Sequence, residues 1–224
     1  LLVSFKLVEV KGMFEQRFTA HSSRTLHCSP HLDSVRGWLP DFLKELAVPL
    51  EKFGTGCHKS LEDLVAEIDN GECRLSIDAH SGRLFRAGAV VRLDVRYVTE
   101  DGVHLQLHEA EQRFSDGRCR RRPTGFAVWE KLRIGEDPDI GMTRALREEL
   151  KLHGEFQAIP GERSQIRRAP DDYPSIHSLF TAFDFTVNLS HQHFVAGGYQ
   201  EHQRDKTTIF LWRPAESTSR NETR

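Results

Sequence analysis

The sequence predicts an α+β fold, and three observations carry that reading. Helical apolar spacing comes first, turn-punctuated stretches of period two fill residues 72–123, and a helix at about Pro138–Leu152 is followed by more strand-like segments. A βαβ winding would alternate these elements evenly, whereas here the order is helices, meander, helix, strands. No internal repeat is visible.

Each element has its own signal. Trp38, Leu39, Phe42, Leu43 and Leu46 share one helical face until Pro49 interrupts. Over Ser60–Asn70, Ser60 with Asp63 makes a capping pattern, Leu61, Leu64, Val65 and Ile68 make the apolar stripe, and Asn70-Gly71 closes the helix. Ser81-Gly82, Asp101-Gly102 and Asp116-Gly117 then mark tight turns between antiparallel strands. In Gly88–Val98, Val91, Leu93, Val95 and Tyr97 face one way and Arg92, Asp94 and Arg96 the other, a half-buried strand. Leu179–Val187 and Lys206–Trp212 read as later strands, and Pro214–Arg224 as a polar tail that orders only when held.

Composition narrows the function classes. With 224 residues, 38% hydrophobic and 29% charged, the chain is an ordinary globular sequence that can bury a core. No apolar run exceeds four residues, against about 20 for a membrane-spanning helix, so the expectation is a soluble or peripheral protein. Lys plus Arg number 31 against 33 Asp plus Glu, a net charge of −2, so no global basic field advertises nucleic acid. Cys28, Cys57, Cys73 and Cys119 are scattered and read as reduced thiols of an intracellular compartment. The chain opens on Leu1, which we read as a fragment or a processed product. Residues 16–32 hold no acid, the composition of an ordinary polar extension or of the flank of a mitochondrial or chloroplast transit peptide.

The chemistry is concentrated in Phe126–Leu152, FAVWEKLRIGEDPDIGMTRALREELKL. This stretch resembles a Nudix box: Glu136 takes the first Glu, Arg144 the Arg, Leu146 the aliphatic position, Glu148 and Glu149 the Glu-Glu pair, and Leu152 the last aliphatic position. Three positions depart from the pattern, with Glu130 and Lys151 in place of the two glycines and Ala145 in place of the Glu after the Arg. Gly71-Glu72, Asp116-Gly117-Arg118, Glu130-Lys131-Leu132, Tyr173-Pro174 and Trp212-Arg213 extend the likeness toward a divergent Nudix-like subgroup found in photosynthetic organisms.

The resemblance implies a Nudix-like α/β/α sandwich with a mixed sheet. Residues 1–52 would form an N-terminal extension with a short helix, 53–213 the Nudix-like domain and 214–224 a polar tail. It also implies Mg²⁺ held by Glu136, Glu148 and Glu149, with Glu149, Glu148 and Arg144 as the catalytic set. Positions three and four apart share a helix face, so Ala145 removes a carboxylate from beside Glu148 and Glu149. Mg²⁺ can be held by one or two carboxylates plus phosphates, so a weakened site is expected, with altered loops where Glu130 and Lys151 replace glycine. Glu149 reads either as a metal ligand or as a border salt bridge, and Glu148 either as a ligand or as the i+4 partner of Arg144.

GRCRRR over residues 117–122 puts Arg118, Arg120 and Arg122 on one strand face. They could hold a diphosphate, an acidic partner or RNA phosphate, or guard a sheet edge. His191 with His193, and His27 with His31, lack a full metal-ligand set and read as loop residues. The expected function is a non-catalytic binding or structural accessory subunit whose partners are other protein subunits, then nucleotide, then RNA. The alternative is a divergent Mg²⁺-dependent hydrolase of a nucleoside diphosphate linked to another moiety. Both chain ends are expected to lie against other proteins.

Overall fold

The computed structural model describes residues 7–9, 35–56, 58–78, 80–121 and 125–215. Segment 16–32, Cys28, Cys57, Arg122 and residues 216–224 therefore lie outside it, and so do the expectations placed on them. The described elements are mostly strands with a few helices, an α+β chain. It divides into two compact units, unit 1 comprising Leu1–Ala89, Leu132–Gly135 and Gln165–Thr181, and unit 2 the remainder.

In unit 1, α1 (Val35–Glu45) buries Leu39, Phe42 and Leu43 and packs on α2 (Leu61–Asp69). The start of α2 is fixed as its sequence requires: Ser60 Oγ accepts from the Asp63 N–H at 3.1 Å, and Asp63 Oδ2 accepts from the Ser60 N–H at 2.8 Å. Strands β1 (Leu7–Glu9), β2 (Arg74–Asp78) and the start of β3 (Leu84–Val98) pair antiparallel. Strand β7 (Gln157–Tyr173) pairs with β8 (Ile176–Asn188) across the two-residue turn Pro174-Ser175, so the two form a hairpin.

A buried ion cluster ties this unit together. Arg86 Nη1 donates to Glu67 Oε2 at 2.5 Å, and Arg86 Nη2 donates to Asp172 Oδ2 at 2.7 Å and to Ser178 Oγ at 3.1 Å. The guanidinium also lies over the Tyr173 and Phe180 rings, at 4.9 and 5.2 Å from their centroids. Lys59 Nζ reaches the other Glu67 oxygen at 2.9 Å. Burial pulls the Arg86 pKa down, but the charges of Glu67 and Asp172 outweigh it and hold the group above its ordinary value.

Unit 2 is built on the antiparallel order β3, β4 (His104–Phe114), β10 (Lys206–Pro214), β9 (Tyr199–His202). The short β5 (Cys119–Arg120) adds to β4, and β6 (Val128–Leu132) pairs with β3. The core face carries Val91, Leu93, Val95, Tyr97, Leu107, Tyr199 and Phe210, all buried, in the alternation read from Val91 onward. A bulge leaves Ala110 unpaired, because Ile209 stands across from Glu111 and Phe210 from Glu109. Tyr97 stacks on Phe194 at 3.9 Å, and Trp212 Nε1 donates to the Val195 carbonyl at 2.8 Å, which fixes the loop before β9 over the strands. No helix of the described residues is long and apolar enough to cross a membrane.

Candidate functional site

The helix α3 (Pro138–Leu150) starts at Asp137, whose carboxylate accepts from the Asp139 N–H at 2.8 Å, with Pro138 at the first helical position. Met142, Ala145, Leu146 and Leu150 form its buried stripe. It ends on Lys151 in the left-handed region, φ 58°, with its N–H on the Leu146 carbonyl. The expectation of an altered loop at Lys151 is thus corrected. A lysine adopts the conformation a glycine would take, at a strain of about 1 kcal/mol, while its Nζ donates to the Glu148 carbonyl at 2.7 Å. Glu130 lies within extended β6, where no positive φ is needed, and Gly135, φ 82°, provides the turn before Glu136.

Arg144 is the hub of the site. Its Nε and Nη2 donate to the two Glu136 oxygens at 2.9 and 3.0 Å, and its Nη1 donates to Glu130 at 2.5 Å and to Glu148 at 3.1 Å. Nη2 also donates to the Lys131 carbonyl at 2.7 Å. The hydrogen bonds from Glu136 outweigh burial and, with those from Glu130 and Glu148, hold the guanidinium well above its ordinary pKa. Two of the sequence-predicted metal ligands, Glu136 and Glu148, are thus brought together around a cation that the chain itself supplies.

Glu149 points elsewhere. Burial, then the charge and hydrogen bond of Glu201 on β9, push its carboxyl up to about 9, with a smaller contribution from Glu130 and an opposing one from Lys206. Glu201 is itself buried and accepts from Gln203 Nε2 and, at 3.3 Å, from Thr208 Oγ1. Ala145, where a third acid would stand, is fully buried.

This raised value sets a pH dependence. Between about 4.5, the ordinary glutamate value, and about 9, the folded chain binds the Glu149 proton and the unfolded chain does not. Stability therefore falls as pH rises through that window. Glu149→Gln should flatten the fall and be more stable than the parent at pH 9 by about 1–3 kcal/mol. Urea unfolding at a series of pH values reads this, and a pH-independent difference between the two proteins would reject the buried proton.

The arginine strand is internally compensated. Arg118 Nε donates to Asp116 at 2.7 Å, and Arg113 and Arg121 both pair with Glu111, at 2.6 and 3.2 Å. Arg120 is exposed on β5, across from Gln112. His191 accepts or donates at the Tyr97 hydroxyl, 3.0 Å away, and His193 at Ser190, 3.1 Å away; both sit in a short 3-10 turn. Cys73 is buried with its Sγ 3.9 Å from Glu67 Oε2, and Cys119 is exposed with its Sγ 3.4 Å from Glu111 Oε2.

The sequence reading missed Glu201 and Lys206 as site residues and took Glu130 only as a lost glycine. Glu201 lies 52 positions after Glu149, on a four-residue strand with no motif, so only the pairing of β9 with β10 brings it to the helix. Glu130 carried one signal, an acid 14 residues before Arg144 on the strand entering the box.

The class defined here is an α+β chain with an arginine-centred carboxylate site built from one helix, the turn before it and β6. Among solved structures, the chain is similar to a Nudix hydrolase, RenU, from M. smegmatis, at 13% identity and a TM-score of 0.31, over 58% of this chain and 75% of that one. No protein-family model matches the chain. No curated protein matches it either.

Proposed function

We propose that the chain is a Nudix-like α/β/α domain whose metal site has decayed, serving as a binding or structural accessory subunit of a larger assembly. The observation that carries this reading is the Arg144 hub. Glu130, Glu136 and Glu148 already bond to one guanidinium, which competes with Mg²⁺ for their oxygens. Burial and the neighbouring Glu201 push the Glu149 carboxyl up, and position 145 supplies no acid. The donor set therefore fits a resident Mg²⁺ poorly. Other protein subunits or a nucleotide are the proposed partners, with RNA behind them. An intracellular setting in a mitochondrion or chloroplast rests on the acid-free stretch 16–32.

The second reading is a divergent Mg²⁺-dependent hydrolase of a nucleoside diphosphate linked to another moiety. Glu130 and Glu201, which act on Glu149 from two other elements, favour it. In that case Arg144 would release its carboxylates to the metal, and Arg118, Arg120 and Arg122 would face substrate phosphates. A screen of nucleoside diphosphate derivatives with Mg²⁺ and Mn²⁺ decides between the two. The accessory-subunit reading expects no turnover. Hydrolysis near an ordinary enzymatic rate of about 10 per second, abolished by Glu149→Gln, would establish the hydrolase instead.

A further inference from the structure

The second face of the unit 2 strands carries an array of basic side chains. The register places Arg96, Gln106 and Arg213 in one row across β3, β4 and β10. His104 and His108 flank Gln106 along β4, and the period of two puts all three on that face. Directly paired Cα atoms lie about 4.5–5.5 Å apart and residues two apart on a strand about 7 Å. Two arginines and two histidines therefore surround one glutamine. The opposite face of the same strands carries Leu107, Phe210 and Glu201, so this array is separate from the Arg144 site.

The charges in the array do not balance. Asp94 is matched, since Arg96 Nε donates to one of its oxygens and Gln106 Nε2 to the other, each at 2.8 Å. Among the described residues Arg213 has no such partner. Its Nη2 donates to the Gln106 side-chain oxygen at 3.3 Å, and its buried Nε meets no acceptor among the described residues. A half-buried guanidinium without a counter-charge is costly and calls for an anion. Burial and the Arg213 charge also hold the neighbouring His108 below the usual histidine range. Arg96 keeps 49% of its side chain exposed and His104 is exposed, so the array is open to solvent.

We propose that this face is an oxyanion site, taking a phosphate ion or the phosphoryl group of a small ligand between Arg96, Arg213, His104 and His108. Arg96 has its Nε and Nη2 on Asp94 Oδ2, so it offers its remaining N–H groups beside those of Arg213, and the imidazole N–H groups complete the donor ring. Gln106 holds Asp94 and Arg213 in place beneath it.

Calorimetric titration of the full chain at low salt tests this, with inorganic phosphate in one arm and a nucleoside diphosphate in the other. The His104 and His108 ring resonances serve as a second readout. Saturable binding with both rings perturbed is expected, and Arg213→Gln should weaken it about tenfold. His104→Ala, at an exposed position, should weaken it about threefold. Arg83→Gln, in the turn between β2 and β3, should leave it unchanged. Equal affinities in the two arms identify the free ion as the ligand, and tighter diphosphate binding identifies a phosphoryl group. No saturation by about 10 mM in either arm, or equal weakening by Arg83→Gln, overturns the proposal.

Discussion

Replacing Arg144 by Gln is expected to lower the unfolding free energy by about 3 kcal/mol in metal-free buffer. The substitution leaves Glu130, Glu136 and Glu148 facing one another around a neutral amide, where one guanidinium now bonds to all three. Like charges held within a few ångströms repel, and two of these acids are largely out of water. Adding Mg²⁺ or Mn²⁺ should recover part of the loss, because freed carboxylates on α3 and the segment before it can accept a divalent ion. The parent protein, with Arg144 in place, should show no comparable metal-dependent stabilisation. Thermal or urea unfolding with and without metal measures both effects. An unchanged midpoint in the variant would mean that Arg144 is not the hub of the site.

Arg86→Met in unit 1 should cost about 3–5 kcal/mol, since removing one partner of a buried pair strands the other's charge. Glu67 is the stranded group: it is buried and loses the Arg86 guanidinium, while Lys59 stays 2.9 Å away. Asp172 is 42% exposed at its side chain and can return to water, so the loss centres on Glu67. The double variant Arg86→Met, Glu67→Leu should regain most of the stability, because two apolar groups of similar volume replace the pair without leaving a charge behind. A double variant no more stable than Arg86→Met would show that Arg86 acts through its stacking on Tyr173 and Phe180 instead.

Much of the fold was legible where local physics is sufficient. The capping pair Ser60 and Asp63, the stripe of α2, the alternation in β3 and the span of α3 all depend on neighbours within a few residues, and the structure carries them. β7 was not legible. It is 17 residues long, mostly exposed, and contains Pro160 and Pro170, so it shows no apolar alternation and exists through its pairing with β8. β9 is four residues and too short for any period to register. The column His104, Gln106, His108 is regular in sequence, yet its meaning depends on Arg96 and Arg213 from two other strands.

The sequence by itself determined the helix that carries Arg144, Glu148 and Glu149, and it determined the acid missing at Ala145. Those are matters of spacing along one helix, about 100° per residue. Only the tertiary structure decided which way the carboxylates are spent. It brings Glu130 from β6 to Arg144 and Glu201 from β9 to Glu149, turning a row of acids into one neutralised hub and one carboxyl pushed up by burial and a neighbouring acid. The reason is that a carboxylate's charge state is set by the groups within a few ångströms and by its exposure to water. For these glutamates, those neighbours include residues on separate strands, and β-strand pairing chooses them.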